Sequence, residues 1–177
     1  MSCEQIRSLH EMGFEVGNHT LSHPALGGKS IEFCDKQIKA IEDRCAANKI
    51  PNPTRFCWPG YVLNKPYYPV LADKGYIFAR GGGERAYDPM KDHPLNTPSF
   101  DAKNGTLKKK DFFANTVKKA TAGKPVIFTF HGVPDIEHGW VTTDPALFEK
   151  CMKYLKDNSY TVISMRDMAQ YVKVIKK

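Results

Sequence analysis

Gly17-Asn18-His19-Thr20-Leu21-Ser22-His23-Pro24 is the stretch from which the rest of this chain is read. It follows Gly13-Phe14-Glu15-Val16-Gly17, which reads as a short strand. Pro24 and the pair Gly27-Gly28 argue against a helix beyond it. The two histidines therefore fall on a loop at a strand end, where sites are usually built. Imidazole is the commonest protein ligand for a divalent metal, and two from one short loop cost little chain entropy to bring together. The spacing alone leaves a second reading open, two ordinary surface histidines, because paired-ligand spacings arise often by chance.

The remainder alternates between helical and extended patterns. Ser30 can cap a helix running to about Asn48, with Ile31, Cys34, Ile38, Ile41 and Cys45 along one stripe. Arg55 to Trp58 reads as the next strand. A short helix from Pro66 to Lys74 stops at Gly75, and Tyr76 to Ala79 is extended. Gly81 to Leu107 reads as irregular, with Pro89, Pro94 and Pro98, and Lys109 to Ala122 as a helix ended by Gly123. Val126 to Phe130 is almost continuously apolar, as a strand covered on both faces requires, and His131 stands at its end. Asp144-Pro145 opens a further helix; Tyr160 to Ile163 is the last strand, and Ser164 caps the last helix.

Repeated β-α units imply parallel strands in an open sheet or barrel. The strands counted here are fewer than a complete (β/α)8 barrel needs. The candidate residues nevertheless gather at strand C-terminal ends, the edge where parallel α/β sheets carry their sites. The length of 177 residues fits one domain, residues 1–177, without repeat or low-complexity tract.

Composition narrows the classes. Hydrophobic content of 41% with a mean hydropathy of −0.46 describes a soluble globular chain with no transmembrane run. The N-terminus lacks the apolar core of a signal peptide. The net charge of +7 is largely lysine, concentrated at Lys108-Lys109-Lys110 and Lys118-Lys119. A solvated helix face accounts for such a run more simply than an anionic partner, and no nucleic-acid fold signature accompanies it. Five cysteines without a C-x-x-C pair exclude a zinc ribbon and a complete disulfide framework. Gly81-Gly82-Gly83 lacks the phosphate-loop pattern and reads as a tight turn. His10, His93 and His138 are assigned structural or solvated roles.

The stretch Glu15 to Pro24 resembles the second motif of the polysaccharide deacetylases, the family 4 carbohydrate esterases with a NodB-like domain. Arg55-Phe-Cys-Trp-Pro-Gly-Tyr61 resembles the third motif, and Val126-Ile-Phe-Thr-Phe-His-Gly132 the fifth. The resemblance implies a distorted (β/α)7 barrel, here truncated. It also implies metal-dependent hydrolysis of N-acetyl groups on a glycan. His19 and His23 would be ligands of a divalent metal, zinc first, with cobalt or nickel as alternatives. His131 would be the catalytic acid, and Trp58, Pro59, Gly60, Tyr61 and Arg80 would bind substrate. Family members are often extracytoplasmic.

The first motif, T-F-D-D, supplies that family's base and a metal-ligating aspartate. No Asp-Asp pair occurs in this chain. Cys57 stands where many members carry an arginine, and Arg55 and Arg80 are the candidate substitutes. Asp88, Asp101, Asp135 and Asp144 are the acidic residues that could take over the base role. The expectation is therefore an impaired deacetylase, with an inactive carbohydrate-binding remnant or a fragment of a longer enzyme as the alternative. A sheet missing its first strand would also leave an edge, to be covered by the N-terminal helix or by self-association into a homo-oligomer.

Overall fold

The computed structural model describes residues 1–172. Four short strands and six helices position the site. α1 spans Cys3–Glu11 behind a Ser2–Gln5 capping box, and buries none of its residues. α2 spans Ile31–Ala47; the Ser30 hydroxyl accepts from the Phe33 N–H, satisfying a donor that the first helical turn leaves free. Its buried residues, Cys34, Ile38 and Cys45, fall on the expected apolar stripe, while Ile41 is half-buried and Ile31 is exposed.

β1 (Arg55–Cys57) pairs in parallel with β2 (Phe78–Arg80), in the register Arg55↔Phe78 and Cys57↔Arg80. α3 (Tyr68–Asp73) lies between them in sequence and is followed by Gly75 at φ 88, a left-handed position that glycine adopts freely. β3 (Phe100–Asp101) pairs in parallel with β4 (Phe128–Thr129). Parallel bridges Asn18↔Phe56 and Arg80↔Thr97 join these pairs at both sides. Asn18, β1, β2, the Thr97–Asp101 stretch and β4 thus lie side by side in chain order, all parallel. No closed barrel is present among the described residues.

α4 (Asn104–Leu107) and α5 (Phe112–Val117) precede β4, and α6 (Pro145–Asp157) follows it. The Asp144 carboxylate caps α6 by accepting from the Ala146 and Leu147 N–H groups. One apolar cluster joins α2 and α3 to β1 and β2, through Ile38, Phe56, Trp58, Tyr67, Leu71 and Ala79. A second joins α5 and α6 to β3 and β4 through Phe113, Val117, Cys151 and the half-buried Phe128. Burying each large side chain of these clusters is worth roughly 1.5–3 kcal/mol, which is what holds such short strands in register.

Several sequence expectations change. The Gly13–Gly17 strand reduces to the single bridge at Asn18. Among the described residues Tyr160–Ile163 forms no ladder, and Ser164 precedes a 3-10 turn over Asp167–Gln170 whose N-cap is Arg166; its hydroxyl accepts from the Asp167 N–H at 3.3 Å. The helix expected from Lys109 begins at Phe112, because Asp111 adopts φ 56 and breaks the turn before it. β3 was hidden by the prolines around it. The C-terminal stretch reaches the first segment: the Arg166 N–H donates to Glu15 at 2.8 Å, and the Arg55 guanidinium donates to the Met165 and Arg166 carbonyls. No helix among the described residues is long and apolar enough to cross a membrane.

Candidate active site

The residues at the C-terminal ends of the parallel segments line one open cavity of about 180 Å³. His19 and His23 reach it from the loop after Asn18, Tyr61 from the turn after β1, Arg80 from the end of β2. Asp101 comes from β3 and His131 from the loop after β4.

The histidine loop is built on Asn18. That side chain is buried; its Nδ2 donates to the Ile38 carbonyl at 3.0 Å and to the Tyr76 hydroxyl at 2.8 Å, and its Oδ1 accepts from the Thr20 N–H at 2.9 Å. The Thr20 hydroxyl then accepts from the His23 N–H at 3.1 Å. Thr20 (φ 68) and His23 (φ 54) both sit in the left-handed region, and so does Tyr61 (φ 60). Each such placement costs roughly 1–2 kcal/mol for a residue with a Cβ, so the surrounding bonds must impose it. The loop brings the two imidazoles edge to face, 4.6 Å between ring centres.

His19 Nδ1 lies 2.8 Å from the Cys57 carbonyl oxygen. A carbonyl only accepts, so Nδ1 carries the proton and the neutral ring presents the lone pair at Nε2. A ring nitrogen anchored on a backbone carbonyl, with the other free, is the usual setting of a metal-ligating histidine. Burial of the inner side of the ring pushes the His19 pKa below 6.5; the bond to Cys57 opposes this, and His23 and Arg80 reinforce it. The pair therefore fits two positions of a divalent ion. No cluster of three His, Cys, Asp or Glu suited to a metal occurs among the described residues.

The acidic candidates separate clearly. Asp88 pairs with Lys124 at 2.7 Å, Asp135 holds His138, and Asp144 caps α6. Asp101 alone of the four lines the cavity. Its carboxylate accepts from the Tyr61 hydroxyl at 2.9 Å and pairs with Lys103 at 3.0 Å. Burial opposes its ionisation, but Lys103 and Tyr61 outweigh that and hold its pKa below 3.8. A carboxylate so firmly ionised and so fully engaged makes a weak proton acceptor. Its charge does act on His131: desolvation lowers the His131 pKa from 6.5, Asp101 opposes that, and Arg80 adds to it.

Arg80, rather than Arg55, occupies the site. Its guanidinium donates to the Thr129 hydroxyl at 2.6 Å and to the Cys57 sulfur, and lies 5.6 Å from the Tyr61 ring centre. Arg55 lies at the opposite end of β1, committed to Glu15 and the C-terminal carbonyls. Gly82 makes room for Tyr61, since a Cβ there would stand 2.9 Å from the ring.

Trp58 departs from the sugar-stacking wall expected of it. Its side chain is 0% exposed, packs edge to face on Phe56, and donates its indole N–H to the Leu95 carbonyl at 2.8 Å. It has no free face for a sugar. Pro59 is likewise buried and Gly60 forms the turn at φ 57, so their part is to set Tyr61 in place. The parts of Asn18 and Thr129 escape motif reading, and Asp101 is only one of four acidic candidates there, because each acts through contacts between segments far apart in the chain. An Asn directly before a histidine pair was the one signal present.

The fold is a parallel α/β domain with an open cavity at the C-terminal edge of its strands. The sequence profile of polysaccharide deacetylase matches residues 2–79, which includes the histidine loop and the β1 turn. Two solved structures are similar. The Xyl-CE4 domain of a multidomain xylanase, from the hindgut metagenome of Trinervitermes trinervoides, superposes with a TM-score of 0.63 at 14% identity. It covers 95% of this chain and 69% of its own. A family 4 carbohydrate esterase from Streptomyces lividans, in complex with acetate, gives 0.55 at 17% identity, covering 92% and 74%. No curated protein sequence gives a significant match. The match to the polysaccharide deacetylase profile is thus confined to the first part of the chain, and the two esterase structures share its fold.

Proposed function

We propose that this chain is a deacetylase-type hydrolase of N-acetylated glycans whose catalytic apparatus is incomplete. The observation that carries the reading is the convergence of His19, His23 and His131 on one cavity from separate parallel segments. His19 and His23 would hold a divalent metal, zinc first with cobalt or nickel as alternatives. When bound, that ion would polarise the acetamide carbonyl and acidify water.

The chain's own residues supply the remaining steps in part. His131, a strand-end imidazole open to solvent, would give its proton to the leaving amine. Asp101 favours the imidazolium form needed for that donation. Arg80 and Tyr61 would orient the substrate, the guanidinium by hydrogen bonding and the ring by contact with the sugar. Among the described residues the one carboxylate on the cavity, Asp101, is already engaged by Tyr61 and Lys103, so turnover is expected to be lower by about 10²–10⁴-fold than with a base in place.

The test is acetate release from N-acetylglucosamine oligomers with zinc supplied, compared with His131→Ala and with a form extended by an acidic T-F-D-D strand. Slow release that the extension raises sharply and His131→Ala removes supports the reading. Equal rates for the bare and extended forms would show that a base is already present, with Asp101 the first residue to suspect. A second reading is a carbohydrate-binding remnant without catalysis, in keeping with only two histidines of the described residues meeting as a candidate metal pair. Glycan binding without acetate release in either form would select it.

A further inference from the structure

Lys108, Lys109 and Lys110 do not lie on a solvated helix face. They form the turn between α4 and α5, pinned by hydrogen bonds from the Lys108 N–H to Asn104 O (3.1 Å) and from the Phe112 N–H to Lys109 O (3.2 Å). Together with Lys150 of α6 they rim a groove of about 500 Å³ that shares no residue with the histidine cavity. All four are exposed, and none has an ion-pair partner among the described residues. Asp111 is the one carboxylate on the lining. Holding three successive cations on a fixed turn, with a fourth opposite, raises the local potential and favours an anion in the groove. The floor is apolar: Phe112, Leu147 and Tyr154 are half-buried beneath the lysines.

We infer that this groove binds a segment of an acidic glycan, a sugar polymer bearing carboxylate or phosphate groups. Ammonium groups on flexible stems meet charges spaced along a chain, while the ring faces of Phe112 and Tyr154 meet the apolar C–H face of a sugar. A nucleic acid is less favoured, since no nucleic-acid fold signature accompanies the lysines. A membrane would call for a projecting amphipathic surface, whereas this site is concave. The inference stands apart from the deacetylase reading: it concerns a second site, read by binding alone.

The experiment is titration calorimetry of the whole chain with oligogalacturonate, as a carboxylate probe, and with oligomeric glycerol phosphate, as a phosphate probe. The variant is Lys108→Ala/Lys109→Ala/Lys110→Ala, with the triple Lys→Arg variant as a control for folding and charge. At least one probe should bind the parent chain and bind the alanine variant at least about tenfold more weakly, as expected for several exposed charge pairs acting together. The slope of log affinity against log salt should fall by about 2, and the arginine variant should keep both affinity and slope. No binding to either probe, equal binding by the alanine variant, or tighter binding to a DNA oligonucleotide or to anionic phospholipid vesicles would overturn the inference.

Discussion

Asn18→Ala should be far more damaging than loss of one small polar residue suggests. Asn18 is 1% exposed and spends three hydrogen bonds on three different segments. The Ile38 carbonyl lies within α2, and the Tyr76 hydroxyl keeps Glu42 as a partner at 3.0 Å. The buried Thr20 N–H has no such replacement, and leaving it unpaired costs about 1–3 kcal/mol. The void left by the amide adds about 1 kcal/mol. The expected destabilisation is therefore about 2–4 kcal/mol, or a Tm lowered by about 5–15 °C for a chain of this size. Urea unfolding followed together by far-UV circular dichroism and tryptophan fluorescence measures it. The same change releases the left-handed geometry of Thr20, so metal affinity should fall with stability. A loss below about 0.5 kcal/mol, the scatter of an ordinary surface substitution, would refute the view that Asn18 fastens the histidine loop to the sheet and α2.

Metal retained after dialysis against zinc should drop to background in His19→Ala/His23→Ala, and elemental analysis showing equal stoichiometry in variant and parent would count against the site. Because the His131 pKa is depressed in the folded chain, the unfolded chain takes up that proton first, and stability should decline as pH falls through 6.5. Asp101→Asn removes the negative charge that favours the imidazolium, so the His131 titration midpoint seen by NMR should move lower still; an upward shift would reverse the argument. Light scattering should report self-association, since among the described residues the Asn18 segment pairs with β1 on one side and with no strand on the other.

Local chemistry made part of this molecule legible in advance. Ser30, Asp144 and Gly75 act within a turn of their own position, so caps and stops could be read directly, and α2 and α6 follow closely. The short strands were less legible. β3 is two residues long, and its pairing with Phe128 and Thr129 depends on segments the surrounding prolines do not reveal. Tyr160–Ile163 has the composition of a strand but makes no ladder, because pairing requires a neighbour and not propensity alone.

The site divides in the same way. His19, His23 and His131 stood out in the sequence through the motifs they resemble and through their places at strand ends, and the structure brings all three to one cavity. The sequence by itself could not tell which arginine enters the cavity, since Arg55 and Arg80 look equivalent until the register Cys57↔Arg80 sets one beside the histidines and leaves the other at the far end of β1. Nor could it single out Asp101 from Asp88, Asp135 and Asp144, or show Trp58 turned into the core. Those outcomes were decided by the tertiary structure: which face a side chain takes, and which partner satisfies it, depend on segments brought together across tens of residues.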